Sequence, residues 1–430
     1  MRETKRPERT KELAIARSGV FLMLIALILV LLASSYLIVR HWPRPTASVS
    51  VATSSPQPLQ GPGGEGLASL HLPSGYSVIY ERAQHIALLS ITNNVSRTLE
   101  TPGYVYNRAV PPLVTPTREL IYSGDGIWIT NLVSGHPRLL ATVPRDQVIT
   151  SLALSVDGKT IAWSSAPKTG NGDVVIYSGP LQAPDRIVRV YQQSAARCPC
   201  FRVFSFFDAH SLLLTNDRGD HRLAQYGLWH FDLPESVGSP VIQPQPLLPS
   251  DIQQGPLLFS QQTRTLLYSS YEGFVPMPDS GVPADITSLN YANSLLAASI
   301  DKGPGNLEGQ RVILPEQEAL SGPAAYRWVA TPQFSPDGRM LAYVEFSSGD
   351  RLPFARHYAL YSASLDNAGK ESPQLLATAT AQYVELGPWL NAHILTFYAD
   401  NALYALDMQH GALTTLAQTG AYARIISVVE

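Results

Sequence analysis

The two cysteines of the chain lie two residues apart, at Cys198 and Cys200. A disulfide between them needs an oxidising compartment and closes a small, strained ring. The thiols could instead stay free or pair with another molecule, or they could serve a metal or redox site. A metal site needs two further ligands, and His210, His221 and His230 are near in sequence but lack ligand spacing. A local Cys198–Cys200 disulfide is the first interpretation, and the others stay open.

The stretch from Asp157 to Thr160, Asp-Gly-Lys-Thr, imitates the end of a phosphate-binding loop. That loop needs a glycine five residues before its Gly-Lys pair, and Ala153 occupies the position. The sequence also lacks the Gly-x-Ser-x-Gly and His-Glu-x-x-His motifs of hydrolases and metalloproteases. We therefore predict no catalytic, cofactor-binding or metal-binding residue, although scattered His and acidic side chains could still assemble a site in the fold.

The bulk composition favours an all-β protein. Hydrophobic residues make up 45% of the chain and charged residues 15%, with 34 Pro and 30 Gly. This fits many short strands joined by turns better than long surface helices. The net charge is −3, and the first 17 residues hold an excess of basic side chains, so the remainder is mildly acidic. A nucleic-acid partner is not expected, because such binders carry a basic surface.

Residues 18–40 form a predicted transmembrane signal anchor. Ser18–Val39 has no charged residue, and as a helix it would span about 33 Å at ~1.5 Å per residue. The basic tail, residues 1–17, should stay in the cytoplasm and send the rest of the chain outside, as a single-pass protein of the plasma (inner) membrane. The alternative is a cleaved signal peptide, which usually has a shorter apolar core. Residues 41–67, rich in Pro, Ser and Gly, are predicted to be an extended linker.

Two stretches share one turn-and-strand pattern: "FSPDGRMLAY", starting at Phe334, and "LSVDGKTIAW", starting at Leu154. In the first, Pro336 sets φ for a turn, Asp337 tolerates the next position, and Gly338 can take the positive φ of a type I turn with a G1 bulge. Alternating residues then leave the turn as a strand. The pattern predicts a β-hairpin.

Blurred copies of this hairpin recur along the chain. Their turns fall near the following positions: Ser74, Thr117, Asp157, Asp208, Thr263, Asp337 and Asn391. Most spacings are about 40–55 residues, close to the ~40–50 of a four-stranded propeller blade. The longer step before Asp337 contains a Pro-rich insertion, residues 271–294, predicted to be a surface loop. Copies that lack Pro, Asp or Gly should keep their hairpins with looser turns.

The first unit, Ser74–Glu100, lacks its innermost strand, and the chain ends in the apolar segment Ala423–Glu430. If this last segment pairs with the first unit, the ring closes without an open sheet edge. Residues 68–430 are therefore predicted to be a propeller closed by residues 423–430, with seven blades favoured over six or eight. We expect Trp128, Trp163 and Trp229 to pack between sheets, the alternative being an aromatic binding surface.

Through "FSPDGRMLAY" and "LSVDGKTIAW", and through blurred copies over residues 68–430, the chain resembles the TolB-type, WD-like β-propellers of bacterial envelope proteins. The resemblance implies the fold. It does not select a function, because such propellers include partner-binding proteins, peptidase accessory domains and ligand sensors.

Two functions follow as hypotheses. The first is a binding scaffold outside the cytoplasm that offers its loops and channel to a protein, peptide or glycan. The second is a hydrolase or lyase with its site at the channel mouth. Three or more His, Asp, Glu or Arg side chains gathered at one channel end would favour the enzyme, and an apolar or acidic channel would favour the scaffold.

Overall fold

The structure is a computed structural model. It describes residues 59–82, 84–197, 200–216, 226–234, 242–253, 257–269, 291–292, 294–300, 307–315, 327–347, 356–367, 370–381 and 383–430. The predicted cytoplasmic tail, membrane anchor and most of the linker lie outside these ranges, as does most of the Pro-rich insertion. Within the described residues, no helix combines the length and apolar character needed to cross a membrane.

The described part of the chain is built from short strands. The first sixteen are β1 (Ala68–Ser69), β2 (Ser77–Arg82), β3 (His85–Ser90), β4 (Val95–Thr98), β5 (Leu113–Val114), β6 (Glu119–Ser123), β7 (Gly126–Asn131), β8 (Pro137–Thr142), β9 (Gln147–Leu154), β10 (Thr160–Pro167), β11 (Asp173–Pro180), β12 (Val188–Ser194), β13 (Phe201–Phe206), β14 (Ser211–Asn216), β15 (Tyr226–Asp232) and β16 (Gln245–Gln253). Two single-turn 3-10 helices, Pro184–Arg186 and Ala195–Arg197, flank β12.

The remaining strands are β17 (Leu258–Ser260), β18 (Thr265–Tyr268), β19 (Tyr291–Ala292), β20 (Leu295–Ser299), β21 (Glu308–Leu314), β22 (Arg327–Phe334), β23 (Met340–Ser347), β24 (Arg356–Ser364), β25 (Gln374–Ala381), β26 (Val384–Trp389), β27 (Ile394–Ala399), β28 (Ala402–Asp407), β29 (Ala412–Gln418) and β30 (Ala423–Val429).

These strands form seven sheets, one for each propeller blade. Blade 1 is β30, β2, β3 and β4; blades 2, 3 and 4 are β5–β8, β9–β12 and β13–β16; blade 5 is β17, β18, β20 and β21; blades 6 and 7 are β22–β25 and β26–β29. Two short strands extend this pattern, β19 at the inner edge of blade 6 and β1 at the outer edge of blade 7. The prediction of an all-β propeller with seven four-stranded blades is confirmed.

The hydrophobic core is divided among the seven interfaces between adjacent blades. Each interface holds a cluster of buried apolar side chains, and a second, small cluster around Cys200 lies between blades 3 and 4. The cluster between blades 7 and 1, for example, contains Val78 and Ile394. A single blade would leave both of its apolar faces in water, so neighbouring blades stabilise each other.

The ring is closed by its last strand. β30 is the innermost strand of blade 1 and runs antiparallel to β2, with Ile79 opposite Ser427. The pairing expected from the sequence is thus present in the structure. It covers the inner edge of β2 and joins the two ends of the propeller.

Part of the segment predicted to be a linker packs on the propeller. Leu59 is buried in the cluster between blades 6 and 7. The backbone of Gln60 both donates to and accepts from Thr378 on β25, at 3.0 and 2.9 Å. β1 then runs parallel to β29. Residues 59–69 therefore follow the outer strands of blades 6 and 7 before the chain enters blade 1.

The repeated hairpin turn is held by its serine and aspartate. The Ser335 hydroxyl donates to Asp337 at 2.5 Å and accepts from the Met340 N–H at 2.9 Å. The copy at Ser155 repeats this arrangement although Val156 replaces the proline. In two copies without glycine, Arg118 and Arg264 take positive φ values of 60° and 52°. Both hairpins still form, as the sequence predicted.

The turn glycines also let neighbouring turns touch. Gly338 has a φ of 68°, and a Cβ there would overlap Cγ2 of Thr263 on the turn of blade 5. A Cβ at Gly158, where φ is 69°, would overlap Cδ of Pro116 on the turn of blade 2. Glycine is favoured at both positions for its conformation and for the close approach of the preceding blade.

We predict that Gly338→Ala lowers the free energy of unfolding by about 2–3 kcal/mol, because a strained backbone is combined with overpacking against Thr263. Gly135→Ala is the matched control. Gly135 has a φ of 73°, but a Cβ there would meet no atom within 4 Å, so its cost should be about 1 kcal/mol. Guanidinium denaturation measures both. An equal loss of unfolding free energy in the two variants would contradict the packing of one turn on the next.

The turn aspartates should make stability depend on pH. The Ser335 hydroxyl and the Arg339 N–H, both donating to Asp337, hold the pKa of its carboxyl below the usual range. The unfolded chain therefore binds a proton at higher pH than the folded chain. The stabilising contribution is present above about pH 4 and is lost as the pH falls through the lower folded pKa.

We expect Asp337→Asn to reduce the loss of stability between about pH 5 and pH 3, by a small amount because the side chain is exposed. Urea midpoints of the two proteins at both pH values measure the difference. Asp157→Asn, which removes the same arrangement from blade 3, should behave alike. An equal loss of stability between pH 5 and pH 3 in the original chain and in both variants would contradict the role of the turn aspartates.

Candidate functional site

The antiparallel order of each blade places its connections on two faces of the ring. The turns between the first and second strands, which include the Ser-Pro-Asp-Gly turn, and those between the third and fourth strands lie on one face, here called the turn face. The connections between second and third strands, and from one blade to the next, lie on the opposite face, here called the loop face. The innermost strands line a central channel with a mouth on each face.

Residues 101–112, the connection from blade 1 to blade 2, extend across the loop-face mouth. The Arg108 side chain reaches blade 7, where it donates to Tyr383 and lies 3.5 Å from Glu385. The Ala109 carbonyl accepts from Arg202, at 3.2 Å, on the innermost strand of blade 4. Blades 4 and 7 are on opposite sides of the ring, so this segment spans the channel opening.

The segment belongs to a group of charged and aromatic side chains here called the mouth cluster. Its members are Glu81, Tyr104, Tyr106, Arg108, Tyr383, Glu385, Tyr398, Tyr422 and Arg424. Arg424 on β30 donates through Nε to Glu81 and through Nη1 to the Arg108 carbonyl, at 2.9 Å for the latter. Tyr104 also donates to Glu81. The cluster thus joins blade 1 to the segment over the mouth.

Blade 7 is also joined to residues 101–112, through hydrogen bonds and ring contacts of the mouth cluster. Tyr422 donates to Glu385 at 2.5 Å, and Arg108 approaches the same carboxylate oxygen. The guanidinium of Arg108 lies 5.5 Å from the centre of the Tyr383 ring and 5.9 Å from that of Tyr422. Stacking on aromatic faces and pairing with a carboxylate are the interactions that arginine makes best.

Burial keeps Tyr104, Tyr398 and Tyr422 of the cluster protonated. It raises the pKa of Tyr422 and of Tyr104 far above the usual range, and Glu385 and Glu81 respectively add to the effect. Burial raises the pKa of Tyr398 to about 12. For Arg108, burial lowers the pKa, but Glu385 together with Tyr383 and Tyr422 outweighs it and the net direction is upward. These groups are therefore hydrogen-bond donors at neutral pH.

The mouth cluster brings Glu81, Arg108, Glu385 and Arg424 together at one channel end. Three or more such charged side chains at one end were expected to favour an enzyme, and four are present. The chemistry of the group is less favourable to catalysis. Each carboxylate accepts hydrogen bonds from an arginine and a tyrosine of the ring itself. The arrangement fixes the position of residues 101–112 over the mouth.

The turn-face mouth holds an open cavity of about 460 Å³, here called the turn-face cavity. Its lining comprises Val114, Thr115, Pro116, Arg118, Leu154, Ser155, Val156, Gln261, Ser427, Val428, Val429 and Glu430. Gln261 of blade 5 reaches across to donate to the Leu154 carbonyl of blade 3 at 3.2 Å. Val156, which replaces the turn proline, is 62% exposed there. The cavity combines apolar side chains with hydrogen-bonding groups.

The cysteines and histidines singled out in the sequence do not form a metal centre in the described residues. There, no group of three or more His, Cys, Asp or Glu side chains could hold a metal ion. Cys200 is buried. Cys198 lies outside the described residues, so its pairing with Cys200 stays a prediction. His221 lies outside them too, whereas His230 is buried on β15 and His210 is in a turn.

The tryptophans were interpreted correctly as packing residues. Trp163 and Trp229 are buried in the clusters between blades 2 and 3 and between blades 3 and 4. Trp128 packs against the cluster between blades 1 and 2. The mouth cluster was not predicted from the sequence. A usable signal was present in "SVIYER", where Glu81 follows three buried residues of β2 and is itself only 1% exposed.

No protein-family model matches the chain, and no curated protein matches its sequence. Among solved structures, a protein from Lactobacillus plantarum is 12% identical over 82% of this chain and 97% of its own, with a TM-score of 0.49. The periplasmic gluconolactonase of Pseudomonas aeruginosa is 14% identical over 82% and 99%, with a TM-score of 0.45. A protein described as TolB from Agrobacterium tumefaciens is 13% identical over 72% and 92%, with a TM-score of 0.37. Likenesses this distant do not bear on activity.

Proposed function

We propose that the protein is a membrane-anchored binding propeller outside the cytoplasm that takes a peptide segment of a partner protein in its turn-face cavity. The sequence of residues 1–40 supports the anchor and its orientation in the plasma membrane. The propeller supplies a rigid ring, since all seven interfaces between blades are packed.

The observation that carries the proposal is the difference between the two mouths. Residues 101–112 cover the loop-face mouth and are held there by Arg108 and Arg202. The turn-face mouth opens into a cavity of about 460 Å³, within the usual size range of ligand pockets, ~300–1,000 Å³. A ligand would therefore enter the channel through the turn-face mouth.

A peptide fits this cavity better than a glycan. The described residues that line it include valines, Leu154 and Pro116 but no aromatic side chain, whereas sugar rings are usually held against aromatic faces. The half-buried side chains of Gln261 and Ser427 line the cavity and supply polar groups with which a peptide backbone can pair. Arg118 and Glu430 at the rim offer one charge of each sign for orientation.

An enzyme at the loop-face mouth is the second candidate, favoured by the four charged side chains gathered there. It ranks second because both carboxylates of the mouth cluster already accept hydrogen bonds from the ring. A hydrolase or lyase needs a group that can take up a proton during the reaction, and the raised pKa values of the tyrosines do not provide one.

Site-specific photo-crosslinking in intact cells tests the proposal. A photoreactive amino acid replaces Val156, which lines the cavity, or Val133, a matched control that is 72% exposed on the same face outside the cavity. We expect a discrete crosslinked protein at Val156 and little or none at Val133. Equal crosslinking at both positions, or none at Val156, would contradict binding in the cavity.

A further inference from the structure

Most residues that line the turn-face cavity come from two elements of the inner wall of the ring. β5 and the turn after it supply Val114, Thr115, Pro116 and Arg118, and the end of the chain supplies residues 427–430, which include the last part of β30. Both elements start near the loop-face mouth, where residues 101–112 lead into β5 and Arg424 lies on β30. The position of the cavity wall therefore depends on what holds these elements at the opposite face.

β5 has little support from its own blade. It contains two residues, whereas the innermost strands of blades 1, 3, 4, 6 and 7 contain six to eight. Each of its residues pairs with one residue of β6. The turn that follows is tied to β6, since the Thr115 N–H donates to the Glu119 carbonyl at 2.9 Å. Before β5, residues 101–112 leave the blade to cross the mouth, so on that side β5 depends on the contacts of this segment.

Arginines hold this segment shortly before β5 begins. The side chain of Arg108 donates to Glu385 of blade 7 at 3.5 Å. The carbonyl of Arg108 accepts from Nη1 of Arg424 on blade 1 at 2.9 Å. The next carbonyl, that of Ala109, accepts from Arg202 on blade 4 at 3.2 Å. Three blades spaced around the ring thus fix the backbone that enters β5.

Two of these arginines lie on innermost strands that continue toward the cavity. Arg424 is on β30, which ends in the cavity lining. Arg202 is on β13, where Ser205 accepts from the lining residue Gln261 at 3.1 Å. The strands that hold residues 101–112 at one face therefore also build or support the cavity at the other face.

We infer that the mouth cluster keeps the turn-face cavity in its binding shape from the opposite face of the ring, and that Arg108 is a positioning residue for the peptide. A cavity with an ordered wall binds more tightly, because the ligand does not have to order that wall. Loss of Arg108 leaves the lining residues unchanged but loosens β5 and its turn. The inference rests on the proposed function for the nature of the ligand, but the loosening can be measured without one.

Hydrogen exchange followed by mass spectrometry measures this loosening in the full chain in detergent micelles. We expect Arg108→Met to raise the exchange rate over residues 113–119 by about tenfold or more, through local opening of β5. Gly338→Ala is the matched control, because it also destabilises the chain but at the turn of blade 6, and it should leave this rate unchanged. Arg108→Lys keeps the charge beside Glu385 and should raise the rate less than Arg108→Met does.

Photo-crosslinking from Val156 in intact cells then measures the effect on binding. We expect Arg108→Met to lower the yield of crosslinked partner about fivefold or more relative to the original chain. Unchanged exchange over residues 113–119 in Arg108→Met would overturn the inference, as would an equal increase in Gly338→Ala or an unchanged crosslinking yield. If the original chain gives no crosslink at Val156, the proposed function fails, and the exchange rates alone decide whether Arg108 holds the cavity wall. If Arg108→Met does not fold, Arg108→Lys takes its place.

Discussion

Replacement of Arg424 by Met should lower the free energy of unfolding by about 3–5 kcal/mol, because it leaves the carboxylate of Glu81 buried without its cationic partner. The side chain of Glu81 is 0% exposed and that of Arg424 is 11% exposed. The change also removes the hydrogen bond from Arg424 to the Arg108 carbonyl, which helps to hold residues 101–112 over the channel. Guanidinium denaturation of the full chain in micelles, followed by tryptophan fluorescence, gives the value.

The double variant Glu81→Leu with Arg424→Met separates the ion pair from general packing. Replacing both members of a buried pair by apolar residues removes the uncompensated charge, and such replacements are often close to neutral. We expect the double variant to recover at least half of the stability lost in Arg424→Met. A double variant less stable than the single one would show that the loss came from packing or from the Tyr104 contact instead.

Removal of residues 423–430 should abolish cooperative folding of the propeller. Without β30, the inner edge of β2 has no partner, and an unpaired strand edge promotes aggregation. The cluster between blades 7 and 1 also loses Ala423 and Ile425, which are buried there. We expect the shortened chain to aggregate in size-exclusion chromatography and to show no sharp thermal transition.

Removal of Glu430 alone is the matched control, because this residue follows the last paired residue of β30 and should leave folding intact. A synthetic peptide with the sequence of residues 423–430 should restore part of the folding when added to the shortened chain. A shortened chain that unfolds as sharply as the original would mean that the ring does not depend on β30.

The fold could be predicted because its information is local and repeated. Ser335, Asp337 and Gly338 specify a turn through their own hydrogen bonds and backbone angles, and the same pattern marks blade 3. The closing strand was identifiable because the first unit lacked one strand and the chain ended with one. The sequence did not show that Leu59 and Gln60 pack on blades 6 and 7, because a Pro- and Ser-rich segment resembles a linker throughout.

The mouth cluster could not be predicted because its contacts join residues far apart in sequence. Arg108 and Glu385 are separated by 277 positions, and Glu81 and Arg424 by 343. They meet only when the ring closes and residues 101–112 cross the mouth. Each residue taken alone resembles an ordinary loop or strand-end charge. The turn-face cavity could not be predicted either. The turns that line it repeat because each blade needs one, and their sequences do not indicate that a cavity forms between them.

The central claim is that a partner binds at the turn-face mouth and not at the loop-face mouth. It is tested most directly by comparing photo-crosslinking from Val156 and from Val105 in intact cells. The two side chains are 62% and 61% exposed, and Val105 lies in the segment that covers the loop-face mouth. We predict a discrete crosslinked protein from Val156 and none from Val105. A partner crosslinked from Val105 and absent at Val156 would contradict the account.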